Sequence, residues 1–391
     1  MLPVLTALPT FQKRYTFWIS VYIISFVAFF LWTATVDKAG SMIGLRHLAT
    51  GVFVLSFLFL PSPKSIAKPT IPLFVFISYC CLTLLLQGET LLAVMHGLWL
   101  MFALVFLPKI ICLNFDVFEY YVVKIFQGTL VLLLAITFYS EYFDLNVYFG
   151  RSHRLRFTGG LSNPAIYSAL VVTSLWLSLL IYVLRSSKIY LLFIPFYFYL
   201  LFSSDVRTHT YSVFIGLVAF LFLKSQKSKS YFLVIIFFSC LTLLWAFAKL
   251  SLPEIDIASS GRIEKWIALY DESRFDSNLN SILFGTGEFI MHFDNQWFQT
   301  LVVYGLVGFI LKVFSVAYLL SELNFSKTRS DNLVFRNVFA WASAVLIMMC
   351  TMGFTMTIFP TLGNVFNLIL LPIVFAISTF CLNKKQDFGK L

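Results

Sequence analysis

Three arginines stand close together between two apolar stretches of this chain. Arg151, Arg154 and Arg156 lie in GRSHRLRFTGGLSNP, residues 150–164, although 60% of the 391 residues are hydrophobic. A guanidinium group keeps its charge at neutral pH and pairs two-pronged with a phosphate or a carboxylate. The segment therefore has the chemistry to bind an anionic group.

Further groups that suit phosphate binding or proton transfer follow along the chain. Arg207 and His209 lie in SSDVRTHTYS, Arg262 opens SGRIEKW, and His292 and Asp294 precede Asn295 in HFDNQW. Histidine and aspartate are suitable general bases. Metal chemistry is not expected, because the sequence has no Asp-x-Asp motif and no CxxC pair.

The elements that must position these residues are predicted to be membrane spans. Charged residues make up only 12% of the chain, about half the usual share in soluble domains. Crossing a bilayer takes roughly 20 apolar residues in a helix. The sequence predicts an all-α polytopic membrane protein, a single membrane domain over residues 1–391 with about twelve transmembrane helices. These are residues 16–35, 43–61, 71–88, 91–112, 118–139, 164–183, 189–203, 210–223, 231–250, 297–321, 335–356 and 361–381.

The lysines indicate the orientation of the spans. Loops 62–70, 184–188, 224–230 and 322–334 and the carboxyl-terminal tail are rich in positive charge, which is typical of the cytoplasmic side. Both termini are then cytoplasmic. Two long loops, 140–163 and 251–296, face the opposite side and are expected to form the functional face.

Arginines predominate on the predicted outer side, where the charge rule expects few. They are Arg46, Arg151, Arg154, Arg156, Arg207, Arg262 and Arg274. One interpretation is that they contact lipid headgroups or pair with acidic residues of the same loops, such as Glu141 and Asp271. The other is an outward-facing site for a lipid-linked phosphate, which the phosphate geometry of arginine favours.

Local patterns around this face predict two helix starts. Asn163 caps and Pro164 begins the span at 164–183, since both residue types are favoured at those positions. Ile263, Trp266, Ile267 and Tyr270 recur at helical spacing after Arg262, which predicts a short helix lying on the membrane or on the spans beneath it.

The order of these motifs resembles the O-antigen ligase and polymerase superfamily of bacterial cell-envelope glycosyltransferases. The matching features are Arg156 before Gly159 and Asn163-Pro164, then Arg207, then Arg262, the FGTGE turn, and DNQWFQTLVVYGLVG. The likeness covers about residues 150–310. Within the superfamily, ligases typically carry a histidine where this chain has Asp294, so the chain is most similar to a Wzy-type O-antigen polymerase.

The resemblance implies a GT-C-like enzyme of the bacterial inner membrane with its site facing the periplasm. Its substrates would be oligosaccharide and polysaccharide on undecaprenyl pyrophosphate. The expected surroundings are membrane lipid and a protein that sets chain length, with no nucleic acid and no cofactor. The implied catalytic residues are Arg156, Arg262 and Asp294. The implied substrate-binding residues are Arg151, Arg154, Arg207, Asn163, His209, His292 and Asn295.

Three other functions remain open. The ligase reaction uses the same lipid-linked donor. A flippase for lipid-linked oligosaccharide would need charged groups inside its spans, for which His96, Lys124 and Lys312 are the candidates. The third is a structural assembly protein related to the shape-and-division transglycosylases.

Overall fold

The protein is described here from a computed structural model. The structure describes residues 71–88, 115–143, 147–149, 154–157, 164–224, 262–273, 275–286, 295–353 and 369–380, together with positions 90, 93, 94, 97 and 108. The predicted spans at 16–35, 43–61 and 231–250, and most of the span at 91–112, lie outside the described residues.

The described residues are helical apart from one β-hairpin and short connections. The elements in chain order are α1 (Ile71–Leu86), α2 (Phe115–Tyr142), β1 (Val147–Phe149), β2 (Arg154–Arg156), α3 (Pro164–Arg185), α4 (Phe193–Ser203), α5 (Arg207–Lys224), α6 (Arg262–Ser273), α7 (Leu279–Phe284), α8 (Gln296–Arg329), α9 (Leu333–Met352) and α10 (Leu371–Phe380). A 3₁₀ turn precedes α4 at Lys188–Leu192, and another precedes α7 at Phe275–Ser277.

Four of these helices are long and apolar enough to cross a membrane. They are α2, α3, α8 and α9. Shorter apolar helices occupy Ile71–Leu86 and Lys188–Ser203. Because water cannot satisfy backbone groups inside a bilayer, helices of this length and composition are what a membrane protein requires. The chain is therefore a helical membrane protein, as its composition predicts.

The described elements fall into two compact units. The first contains α2, the hairpin, α3, α4, the first four residues of α5, and α10. The second contains α1, the remainder of α5, and α6 to α9.

Helix α3 is the central element of the first unit. It packs between α2 and α4, and most of its side chains are buried, including the fully enclosed Trp176. Tyr167 of α3 shares a 2.8 Å hydrogen bond with Thr137 of α2. At the other end of the same helix pair, Arg185 Nε donates to Glu119 Oε1 at 2.6 Å. Polar contacts thus fix both ends of an apolar interface.

Helix α8 is the central element of the second unit, packing against α1, α7 and α9. Its 34 residues would extend about 51 Å if straight, well beyond a hydrocarbon core of about 30 Å. The helix is not straight, because Gly305 has the non-helical angles φ 70° and ψ −175°.

The chain turns back on itself at Gly305. Lys312 Nζ lies 2.8 Å from Thr300 Oγ1 and 3.3 Å from the Gln296 carbonyl oxygen. In a straight helix Thr300 and Lys312 would be about 18 Å apart along the axis, which a lysine side chain cannot bridge. Residues 296–304 therefore form a half-helix that lies beside the longer limb, residues 306–329. The prediction of one span at 297–321 is wrong in this respect.

Candidate functional site

The predicted site residues fall partly outside the described ranges. Arg151, Asn163, His292 and Asp294 lie outside them. Arg154 and Arg156 are located by their backbone in β2, and Arg262 is the first residue of α6. The remaining three, Arg207, His209 and Asn295, are described with their side chains.

The hairpin gives part of the arginine segment a defined backbone. Strands β1 and β2 run antiparallel, with Val147 opposite Arg156 and Phe149 opposite Arg154. Because successive positions of a strand alternate between its two faces, positions 154 and 156 share one face. The loop predicted at 140–163 thus contains a strand, and this strand fixes the backbone positions of Arg154 and Arg156 two residues apart.

Phe157, directly after β2, attaches this strand to the helices of the first unit. Its backbone N–H donates to the carbonyl oxygen of Ser203, the last residue of α4, at 3.1 Å. Its ring meets that of Tyr167 edge to face, with centroids 5.1 Å apart. The arginine strand therefore reaches both the end of α4 and the first turns of α3.

A tight turn follows Ser203 and leads into α5. Ser204 is fully buried and donates from its hydroxyl to the Leu201 carbonyl oxygen at 2.7 Å. Asp205 adopts a positive φ of 48°, a conformation that aspartate tolerates better than most residues. Arg207 then begins α5 with an exposed side chain. The turn brings Arg207 to the end of α4 that Phe157 contacts.

His209, in the first turn of α5, is fully buried. Its Nδ1 forms a short hydrogen bond with the hydroxyl of Ser168 in α3. The same hydroxyl also lies 3.2 Å from the Ala165 carbonyl oxygen. The enclosed imidazole is placed to fix the start of α5 against the start of α3, and its contact with substrate stays a prediction.

The first unit therefore brings three predicted motifs together. The strand with Arg154 and Arg156, the helix beginning at Pro164, and the turn leading to Arg207 all meet around Phe157, Tyr167 and Ser168. Helix α3 begins at Pro164, which confirms the predicted helix start. The cap assigned to Asn163 stays a prediction.

In the second unit, α6 forms where the apolar spacing predicts a short helix. Tyr270 packs 5.9 Å from the ring of Phe298 in α8, measured between ring centroids. Trp266 and Leu269 join the same cluster around Phe275 and Val302. This face of α6 therefore packs on the half-helix, residues 296–304.

One member of the predicted face of α6 lies outside the packed stripe. The packed positions, 266, 269, 270 and 273, have the same spacing as the predicted face but begin three residues later, which turns the packed face by about 60° around the helix. Ile267 is therefore 55% exposed.

Asn295 is the N-cap of α8. Its side-chain Oδ1 accepts from the backbone N–H of Phe298 at 3.0 Å. The next residue, Gln296, donates from its backbone N–H to the carbonyl oxygen of Gly353 at 2.7 Å, and Trp297 Nε1 donates to the Cys350 carbonyl oxygen at 3.1 Å. The start of the half-helix is therefore tied to the end of α9.

Gly285 of the FGTGE turn and Gly305 of α8 lie where two backbone segments come into close contact. A Cβ atom on Gly285 would lie 2.1 Å from the Val303 carbonyl oxygen, and one on Gly305 would lie 2.3 Å from the Leu283 carbonyl oxygen. Both glycines have positive φ. The glycines therefore let α7 approach the break in α8.

At the break in α8, backbone carbonyl groups accept hydrogen bonds from other elements in place of helical N–H groups. Thr286 N–H donates to the Val302 carbonyl oxygen at 2.9 Å. Tyr79 Oη, from α1, donates to the Tyr304 carbonyl oxygen at 2.9 Å. Because an unpaired carbonyl inside an apolar core is costly, these contacts stabilise the reversal.

Lys312 is a functional candidate that only the transporter interpretation singled out. It is 2% exposed, and its Nζ lies 4.7 Å from the ring centroid of Trp297. Lys124, by contrast, is exposed and donates to Gln127 Oε1. His96 lies outside the described residues.

Within the described ranges, no three histidine, cysteine, aspartate or glutamate side chains lie close enough to hold one metal ion. Cys80, Cys81 and Cys350 are free thiols.

Comparison with known proteins does not assign a family. No protein-family model matches this chain, and no curated protein is significantly similar to it.

Proposed function

We propose that this membrane protein is an O-antigen polymerase, a glycosyltransferase that elongates a lipid-linked polysaccharide on the periplasmic face of the inner membrane. It would transfer the growing glycan from undecaprenyl pyrophosphate to a sugar hydroxyl of a new lipid-linked repeat unit. The main support is the convergence of the Arg154–Arg156 strand, the Pro164 helix start and the Arg207 turn in the first unit. These motifs are far apart in the sequence. A site for a diphosphate needs several positively charged side chains close together, and the fold brings these motifs to one place.

The chemistry suits fixed arginines. The acceptor hydroxyl oxygen forms a bond to the anomeric carbon of the donor sugar while the bond from that carbon to the diphosphate oxygen breaks. The electron pair leaves with the diphosphate, so negative charge grows there in the transition state. Guanidinium groups held toward that oxygen stabilise the transition state more than the ground state.

The acceptor hydroxyl must also lose a proton. Asp294 is the proposed base, with His292 as the alternative, because these are the titratable groups next in sequence to the cap of the half-helix. The proton would pass from the hydroxyl to the carboxylate as the glycosidic bond forms. Asn295 caps the helix that begins directly after this segment.

The test is the lipopolysaccharide pattern on a gel from cells that lack the protein. Loss of a polymerase leaves flipping and ligation intact, so the ladder should collapse to core plus one repeat unit. Asp294→Asn should give the same single-unit pattern, because an amide cannot act as a base. A full ladder from Asp294→Asn would show that Asp294 is not the base. Bare core in the deletion strain would contradict a polymerase and indicate a ligase or a flippase.

One observation favours the flippase as a second candidate. Transporters commonly build their binding sites from broken helices, and charged groups inside spans are often functional. The break at Gly305 and the buried Lys312 fit both descriptions. Bare core in cells without the protein, with lipid-linked repeat units accumulating on the cytoplasmic side, would support this alternative.

A further inference from the structure

Lys312 is the buried one among the lysines and arginines whose side chains the structure describes. It lies on the long limb of α8, two turns after Gly305, yet its amino group contacts the half-helix. Its Nζ donates to Thr300 Oγ1 at 2.8 Å and to the Gln296 carbonyl oxygen at 3.3 Å, and it lies over the Trp297 ring. One side chain thus joins the two limbs of the reversed helix.

An ionisable residue is unexpected at this position if its role is packing alone. Its partners are a hydroxyl, a carbonyl oxygen and an indole ring, and no carboxylate of the described residues pairs with it. Burying an ionisable amine with neutral partners is costly. The amino-terminal turn of a helix is a region of positive potential, so it offers no compensation for a protonated amine. Ionisable residues kept at such cost inside a membrane are generally functional.

Several contacts fix the half-helix, and those of its first turns lie nearest its cap. Its residues, 296–304, extend only about 13 Å, and it begins at the cap Asn295. Gln296 N–H and Trp297 Nε1 hold its first turn to the end of α9. Lys312 supplies the attachment to the long limb. Contacts of Val302 and Tyr304 hold the far end of this element, whereas these two attachments hold the end that carries the cap.

We propose that Lys312 is a positioning residue of the transferase site. Its amino group holds the first turns of the half-helix, residues 296–304, against the long limb and so helps to fix Asn295, the cap that directly follows Asp294 in the chain. This inference rests on the proposed function for the role of Asp294. The attachment itself can be tested without any activity.

The attachment is tested by cysteine labelling of the full-length protein in membranes. Gln299, on the half-helix, is buried, so Gln299→Cys should react slowly with a membrane-impermeant maleimide, measured above the background from the native cysteines. Adding Lys312→Met, which keeps most of the length of the side chain without its charge, should speed labelling roughly tenfold through local opening. An unchanged labelling rate after Lys312→Met would overturn the proposal.

Two control variants accompany this measurement. Lys312→Arg keeps a charged donor at the same position and should restore slow labelling of Gln299→Cys. Lys124→Met removes an exposed lysine of a span and should leave the labelling rate unchanged. Equally fast labelling in the Lys124→Met protein would show that loss of any span lysine loosens the fold, which would overturn the specific role of Lys312.

A milder variant tests the same contact in case the Lys312→Met protein does not fold. Thr300→Val keeps the shape of the side chain and removes the hydroxyl that accepts from Lys312. It should also speed labelling of Gln299→Cys, by less than Lys312→Met does. An unchanged rate in this variant would mean that the Lys312 contact does not hold the half-helix.

The lipopolysaccharide gel then separates the inference from the proposed function. Lys312→Met at normal protein level should give core plus one repeat unit, and Lys312→Arg should restore part of the ladder. Fast labelling with bare core would keep the attachment and contradict the polymerase. Slow labelling with a single-unit pattern would keep the polymerase and overturn the positioning role. A full ladder in Lys312→Met would also overturn that role.

Discussion

His209 shows how a residue with suitable chemistry takes its role from its neighbours. Histidine is a common base or ligand, and the sequence predicted that His209 contacts substrate. Its imidazole is fully buried against the Ser168 hydroxyl, two residues along α5 from the exposed Arg207. In the proposed site, the histidine would therefore act through the position of Arg207.

Ser168→Ala tests this contact. Removing the hydroxyl from His209 Nδ1 should destabilise the protein by about 1–3 kcal/mol, the cost of taking one partner from a buried polar group. Thermal unfolding of the purified protein in detergent measures the change. Ser203→Ala is the matched control, since the Ser203 hydroxyl bonds only within its own helix, and it should have little effect. Equal stability of the two variants would show that the Ser168 contact carries no energy.

Arg156→Lys and Arg207→Lys test whether the arginines act by geometry or by charge alone. Lysine keeps the positive charge but cannot form a two-pronged pair with a phosphate. Losing one charge-assisted hydrogen bond of about 1.5–3 kcal/mol should slow polymerisation roughly ten- to hundredfold, seen as a shortened ladder at normal protein level. Arg185→Lys, at the far end of α3 in an ion pair with Glu119, should keep the full ladder. A full ladder in both site variants would show that only the positive charge of these arginines matters, not their two-pronged pairing with phosphate.

At the scale of elements, the break in α8 depends on a close approach of two backbones. Gly285 ends α7 and Gly305 divides α8, and a Cβ atom on either glycine would clash with a carbonyl oxygen on the other segment. The reversal then brings Trp297 within 6.2 Å of Phe309, measured between ring centroids. A short connection of this kind needs glycine because no side chain fits.

Gly285→Ala and Gly305→Ala should therefore prevent normal folding, because each adds a clash to an unfavourable positive φ. The accumulation of folded protein in membranes, measured by size-exclusion chromatography after solubilisation, should fall sharply. Gly88 is the matched control: it has φ 84°, with no atom within 4 Å of an added Cβ. Gly88→Ala should cost only the backbone strain, about 1–2 kcal/mol. Normal accumulation of Gly305→Ala would contradict the tight reversal.

At the scale of the whole molecule, the proposed reaction requires both arginine loops on the outer side of the membrane. The lysine-rich loops predict this orientation, because positive charge is retained in the cytoplasm. The arginines concentrated in loops 140–163 and 251–296 run against that rule. A requirement for phosphate binding would explain why they are arginines and why they are there.

Reporter fusions check this orientation. Fusions after residues 155 and 275 should report the periplasm, and fusions after residues 66, 227 and 385 should report the cytoplasm. The physical reason is the distribution of lysines between the loops. A cytoplasmic result at residue 275 would place Arg262 in the wrong compartment and end the transferase proposal.

The amino-acid sequence was enough to predict the helical membrane class, most helix positions within the described ranges, and the candidate residues. Apolar length and charge are enough for that, because the bilayer excludes unpaired backbone groups. Which of these groups meet is seen only in the folded chain. The Phe157 contact with Ser203, the Ser168 contact with His209, and the Lys312 contact with Thr300 join residues that are 12 to 46 positions apart. Local pattern carries no information on such pairs, because they depend on how the helices pack and on the reversal at Gly305.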